Sequence, residues 1–325
     1  MRLIGLAVVL TLGFTLAPIS AKAQPQSGKV YRIGLLGTAS GQANRVEALR
    51  AGLRDLGYVE GRNIVFEYRW AEGKYERLPD LAAELVHLNV DVLVTSGTPG
   101  VRAAKQATTT IPIVMAASGD AVATGLVASL ARPGGNITGS VFFSPELSSK
   151  RLELLKEAVP RVTQVAYLMN PDNPVAQANL KAMEITSRIL KVGLRQSEAR
   201  GPDEFENAFA AMAKQHVDAL AISQDAMIIS NAGVIGDLAA KRQLPSIGPA
   251  EFAAAGGLIG YGHDSIALYR RAAYFVDRIF KGARPADIPI EQPTKFELVL
   301  NMKTAKALGI TIPQSILVRA DKVIE

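Results

Sequence analysis

Polar side chains gather in five short stretches, each directly after a run of β-branched and aliphatic residues: Gly37-Thr38-Ala39-Ser40-Gly41, Ser96-Gly97-Thr98-Pro99, Ala117-Ser118-Gly119-Asp120, Asn170-Pro171-Asp172-Asn173-Pro174 and Ser223-Gln224-Asp225. The hydroxyls of Thr38, Ser40, Ser96, Thr98, Ser118 and Ser223, the amides of Asn170 and Asn173, and the backbone at Gly97 can hydrogen-bond a small polar molecule. Where such a stretch opens a helix, free N–H groups attract an anion, so a carboxylate would meet Ser96, Thr98 and Ser118. The carboxylates of Asp120 and Asp225 suit an ammonium, and Asp172 adds a third acid. The same residue types cap helices and form turns, which is the simpler reading of any one loop. Five loops polar at the equivalent strand end favour a shared cleft. Tyr261, near a crossover, completes the candidate ligand-binding set, and His263 beside it is the histidine to watch.

Several other chemistries lack their residues. Gly34, Gly37 and Gly41 have the wrong spacing for a dinucleotide fingerprint, and no phosphate-loop lysine occurs. His87, His216 and His263 are far apart and there is no cysteine, so no transition-metal site and no cofactor is expected. No nucleophile elbow is present. Asp120, Asp172 and Asp225 come from two different halves of the chain, which suits capture in a cleft better than the fixed carboxylate pair of a hydrolase. Trp70 reads as packing on an edge strand rather than as a ligand platform.

The elements that must position these loops alternate as βα units, the pattern of a parallel α/β architecture. Strands are expected at Val30–Leu36, Ile64–Tyr68, Val90–Thr95 and Ile113–Ala116. Helices follow near Arg45–Leu56, Tyr75–Leu88, Val101–Ala107 and Val122–Leu130. Leu78, Leu81, Ala82, Leu85 and Val86 share one helical face. Beyond Pro133-Gly134-Gly135 the alternation restarts with strands at Val165–Met169, Leu194–Ser197, Ala219–Ser223 and Ser246–Ile247. Helices are placed between them near Val175–Leu190, Phe205–Gln215 and Val234–Ala240. A strand at Gly257–Tyr261, an amphipathic helix with Leu268, Ala272, Phe275 and Ile279 on one face, a strand at Phe296–Leu300 and a helix at Met302–Leu308 complete the chain. Two doubly wound lobes are expected, with ligand sites beyond the carboxyl ends of their strands, where strand order reverses.

Length and charge agree with this plan. The 325 residues, 48% apolar and 20% charged, suffice for two packed lobes. Arg2, the apolar run Leu3–Leu16 and the small-residue site Ala21-Lys22-Ala23 read as a signal peptide over residues 1–23, its apolar stretch short of the ~20 residues of a membrane span. A soluble, exported, periplasmic protein is expected, without the disulfides or the lipid anchor that cysteine would supply. Arg2 and Lys22 leave with the leader, taking the formal charge from +6 to +4. The remaining basic residues are scattered, which argues against nucleic acid.

Longer motifs run through the mature chain in a characteristic order: Gly57-Tyr58-Val59-Glu60-Gly61-Arg62-Asn63, Ile111-Pro112-Ile113-Val114, Gly134-Gly135-Asn136-Ile137-Thr138-Gly139, Glu251-Phe252-Ala253-Ala254-Ala255-Gly256-Gly257, Pro293-Thr294-Lys295-Phe296-Glu297-Leu298-Val299-Leu300-Asn301 and Ala305-Lys306-Ala307-Leu308-Gly309. From Tyr31 to Glu325 the chain resembles the ABC-transporter substrate-binding proteins that include the tryptophan-type binding proteins. The resemblance implies a type I periplasmic-binding-protein fold: two lobes joined by three crossovers, residues 30–142 with 263–291 and residues 143–262 with 292–325. It implies a ligand held between lobes that close by hinge motion. It carries Thr98, Asp120, Asn173 and Asp225 over as ligand-binding positions. Asp120-Ala121-Val122 departs from the family's Asp-Pro-Val, the loop at Asn170–Pro174 is shorter, and the first loop differs, so ligand identity does not carry over.

The expectation is therefore a monomeric periplasmic protein that captures a small polar or amphipathic, amino-acid-like metabolite. It would deliver that metabolite to an inner-membrane ABC permease with its cytoplasmic ATPase. A sensor presenting its closed form to a membrane receptor is the alternative, and a hydrolase with an unrecognised carboxylate pair the third reading.

Overall fold

The computed structural model describes residues 29–39, 43–142 and 144–325; the leader and Ser40 lie outside the described residues. Two sheets organise the chain. The first is built from β1 (Tyr31–Gly37), β2 (Ile64–Trp70), β3 (Val92–Ser96), β4 (Ile113–Ser118) and β5 (Ile137–Val141), in the order β2-β1-β3-β4-β5. Its connecting helices are α1 (Ala43–Asp55), α2 (Leu78–His87) and α3 (Thr98–Ala107). All its pairings are parallel. Both faces must then be covered, and its central strands are apolar at almost every position, as in Val92, Leu93 and Val94.

The second sheet follows α4 (Ser144–Ala158). It holds β6 (Gln164–Met169), β7 (Gly193–Glu198), β8 (Ala219–Ile222), β9 (Ser246–Gly248), β10 (Ile259–His263), β11 (Phe296–Asn301) and β12 (Lys322–Ile324), in the order β12-β11-β10-β9-β8-β6-β7. Its helices are α5 (Ala176–Leu190), α6 (Phe205–Lys214), α7 (Ala226–Ser230), α8 (Ala232–Lys241) and α9 (Ala250–Ala254). Between β10 and β11 comes α10 (Ser265–Phe280), and α11 (Met302–Ala307) and α12 (Gln314–Leu317) precede β12. The helix α10 buries Leu268, Ala272, Phe275 and Val276 against the first sheet, where it packs beside α1. Among the described residues no helix is long and apolar enough to cross a membrane.

Most expected elements are present, and the structure adds β5 and the short helices α7, α9 and α12. The sheet around β10 is mixed, because β11 runs antiparallel to it, Ile259 opposite Leu300. Helix α4 and strand β12 were not anticipated. The helix expected near Val122–Leu130 is a series of turns: Asp120 ties the first one, and Gly125 takes a left-handed φ of +69° that ends any helical run.

Strand order reverses between β1 and β3 in one sheet and between β6 and β8 in the other. The loops after those four strands hold Thr38, Ser96–Thr98, Asn170–Asn173 and Ser223–Asp225, so the topology puts four of the five polar stretches at the two crevices. Trp70 packs as expected at the edge. Its indole stacks on Tyr68 with ring centres 6.3 Å apart and lies over Gly37, where a Cβ would come within 1.9 Å of the ring. Replacing Gly37 by Ala should therefore push Trp70 outward. The expected cost is about 1–3 kcal/mol in denaturant unfolding, with a red shift of the emission of this single tryptophan; an unshifted spectrum and unchanged midpoint would refute the contact.

Candidate functional site

A narrow cavity of about 50 Å³ lies between the two sheets. The first half contributes Arg45 of α1, Ser96 and Gly97 after β3, Ala117 of β4, Phe142 beyond β5, and Ser265 and Tyr269 of α10. The second half contributes Gln224, Ala226 and Ile229 around α7, and His263, the last residue of β10, stands where the chain crosses between the halves. At roughly 10–15 Å³ per water, this is room for a few waters or a compact polar group.

Two contacts join the halves around it, and a third fixes α10 within the first half. Arg45 pairs with Glu251 of α9 at 2.6 Å. Tyr75, just before α2, donates its hydroxyl to Asp225 Oδ2 at 2.9 Å. Tyr269 donates to Ser96 Oγ at 2.6 Å, fixing α10 to the strand end beneath the cavity. With these in place the cleft is shut.

Asp225 is the centre of the second contact. It is 1% exposed and accepts from Asn173 Nδ2 at 2.8 Å and from the backbone N–H groups of Met227 and Ile228 at 3.0 and 3.1 Å, besides Tyr75. Burial pushes its carboxyl above the ordinary carboxylate value, and the four donors oppose that shift. Burial also drives the Tyr75 phenol well above its usual range, the neighbouring carboxylate adding to the effect, so Tyr75 stays a donor. All four acceptor sites of Asp225 are in use, which leaves it no capacity for a ligand ammonium.

The other expected residues divide by position. Ser96 and Gly97 line the cavity. Thr98 and Ser118 are buried just behind, their hydroxyls 3.4 Å apart. Thr38 and Ser223 are buried with hydroxyl oxygens that have no partner. Asn170 accepts from the Asp172 N–H at 3.0 Å, and with Asp172 it lines a separate opening beside Tyr75 and Arg200. Asp120 lies outside the cavity, its Oδ1 capping a turn through the Val122 and Ala123 N–H groups at 3.0 and 2.9 Å. The Tyr261 ring faces a surface groove with Phe296, its ring centre 6.2 Å away.

Sequence reasoning missed the cations. Arg151 of α4 is 2% exposed. It donates through Nε to the Tyr261 carbonyl at 2.7 Å and through one terminal nitrogen to Gln224 Oε1 at 2.5 Å, which places it directly behind the cavity wall. Burial lowers its guanidinium to about 10. Its signal was present in the sequence as an arginine on the apolar stripe Leu147, Arg151, Leu154, Leu155 and Ala158 of α4. Arg45 and Tyr269 were likewise hidden on helix faces. His263, 3% exposed, stacks on Phe142 with ring centres 4.7 Å apart, and its Nδ1 has no partner.

Comparison with known proteins adds the relationship. The family model described as ABC transporter substrate binding protein matches residues 38–324. A tyrosine-binding protein of Clostridioides difficile (strain R20291) is 27% identical over 260 residues, covering 79% of this chain and 74% of that one. Among solved structures, a conserved domain protein from Vibrio cholerae superposes with a TM-score of 0.85 at 29% identity, covering 91% of this chain and all of the other. An ABC domain from Streptococcus pneumonia in complex with L-Trp gives 0.84 at 26% identity, over 90% of this chain and 99% of that one.

Burial lowers the His263 imidazole to about 3, the Arg151 and Arg45 charges adding to the effect. Unfolded, the ring takes up its proton near 6.5, so it contributes stability that is complete above that pH and lost progressively as pH falls toward 3. The His263→Phe variant should lose less stability than the parent between pH 6.5 and 3, by up to about 1.4 kcal/mol per pH unit in urea titrations. Parallel pH profiles would contradict a neutral buried imidazole.

Proposed function

The chain belongs to the ABC transporter substrate-binding protein family, and from that premise we infer that it captures a small carboxylate-bearing metabolite in the periplasm and delivers it to an inner-membrane permease driven by a cytoplasmic ATPase. Its relatives bind ligands rather than transform them, and the chain is a binding protein, not an enzyme. One observation carries the reading: a switch-point loop from each sheet, Ser96–Gly97 after β3 and Gln224 after β8, lines one cavity walled by both halves.

Residues 30–142 with 263–291 form one body and residues 143–262 with 292–325 the other, and they part and close by a hinge. Both walls come from one chain, so a monomer completes the site. The leader over residues 1–23 supports export to the periplasm. Similarity to a tyrosine-binding protein and to an L-Trp complex supports an amino-acid-like ligand, of which the carboxylate is the part the cavity is built to meet. Mass spectrometry of the molecule that copurifies with the protein, followed by its titration back in a thermal-shift assay, tests this. At 100 times its Kd a ligand adds about 2.7 kcal/mol of stability. Failure of every small carboxylate, including any that copurifies, to stabilise the protein would remove the reading.

The Tyr75–Asp225 bond stands outside the cavity, so it contributes to closure and not to ligand contact. Removing it in the Tyr75→Phe variant should weaken ligand binding by about 1.5 kcal/mol, roughly tenfold, the scale of a hydrogen bond to a charged group. It should also raise the radius of gyration of the ligand-free protein in small-angle X-ray scattering. Unchanged affinity and radius together would show that the bond has no part in closure.

A further inference from the structure

The cavity wall carries Arg45, Gln224 and His263, and Arg151 stands behind Gln224, yet none of its residues is an Asp or Glu. The acids close by are committed elsewhere. Glu251 is paired with Arg45, Asp225 accepts from four donors, and Asp264 caps α10 through the Ile266 and Ala267 N–H groups. No residue outside the described set is acidic.

Arg151 is the unusual member. A buried charge is stable only when it is paired or fully hydrogen-bonded. Arg151 has no carboxylate partner among the salt bridges of the described residues; its two neutral acceptors leave one terminal nitrogen unsatisfied. His263 Nδ1 also lacks a partner, and the N–H groups at the start of α3 have no side-chain cap. Ala117, Phe142 and Ile229 add apolar surface to the same wall. We propose that the ligand is a net anion, a carboxylate on an apolar tail without an α-ammonium, whose negative charge pairs with the buried Arg151–Gln224 end of the cavity. This deepens the functional reading above and rests on it. A zwitterionic amino acid would place its ammonium beside the unpaired Arg151 guanidinium with no free acid to receive it, the arrangement that selects against a ligand by an unpaired charge.

The test titrates the full mature chain by isothermal calorimetry and thermal shift with matched pairs that differ only in the amino group. These are 3-phenylpropanoate against L-phenylalanine and butanoate against L-2-aminobutanoate, with phenethylamine as the cation control. The expected result is binding of at least one deamino acid tenfold or more tighter than its amino partner, with no response to phenethylamine. The Arg151→Met variant should stay folded, with a melting temperature no lower than the parent's, and lose that binding; Arg151→Lys should keep part of it. If Arg151→Met does not fold, the paired titrations of the parent protein decide alone. Amino acids that bind as tightly as their deamino partners would overturn the anion proposal and leave the binding-protein reading standing. A neutral or cationic copurifying ligand would do the same. Silence from all these compounds together with no copurifying molecule would overturn both.

Discussion

Asp225 is a carboxylate buried where the two sheets meet, and the closed arrangement depends on how its charge is satisfied. Two of its donors are local N–H groups at the start of α7 and one is Asn173 in the neighbouring crevice loop. These would be available in any arrangement of the halves. The fourth, the Tyr75 hydroxyl, comes from the other half. A buried carboxylate short of a donor costs on the order of 1–3 kcal/mol, so the contact ties a local electrostatic requirement to the global state of the cleft. Closure is then partly written into the protein, and a ligand has only to supply the remaining difference between open and closed forms.

The fold was legible because it rests on the most redundant signals. Doubly wound sheets bury their strands on both faces, so Val92–Val94 and Ile113–Met115 read as continuous apolar runs, and the helices between them show one apolar face each. The same logic located the crevice loops, since polar stretches after strands are the only places where such a sheet presents chemistry. Elements failed where the signal was mixed. Helix α4 opens on Ser144-Pro145 and buries an arginine and two serines in its apolar stripe, so its periodicity is masked. The stretch after Asp120 carries helix formers, and Gly125 breaks it by conformation rather than by hydrophobicity.

The site was legible by address but not by role. Ser96 and Gly97 face the cavity. Asp120 sits at the expected strand end but points its oxygen back into its own turn, because a short acid two residues before free N–H groups is captured by them. Asp225 does the same locally and also reaches across the cleft. The residues that set the charge of the cavity, Arg45 and Arg151, project from helices, and their distance in sequence from the loops gave no reason to join them. That union exists only after α1, α4 and α10 have packed.

Neighbouring polar groups at the junction are thus assigned opposite tasks by their surroundings. The acids are saturated by donors of the protein itself and stabilise the closed form. The donors around Gln224 are left partly unmet, the free terminal nitrogen of Arg151 being buried away from water. Desolvating a cation without a directly paired acid is unfavourable, and burial leaves the Arg151 guanidinium lowered to about 10. A negative group held in the cavity relieves that penalty. The buried cation therefore favours an occupied cavity while Asp225 and Tyr75 favour closure, and occupancy by an anion is the condition under which both demands are met at once.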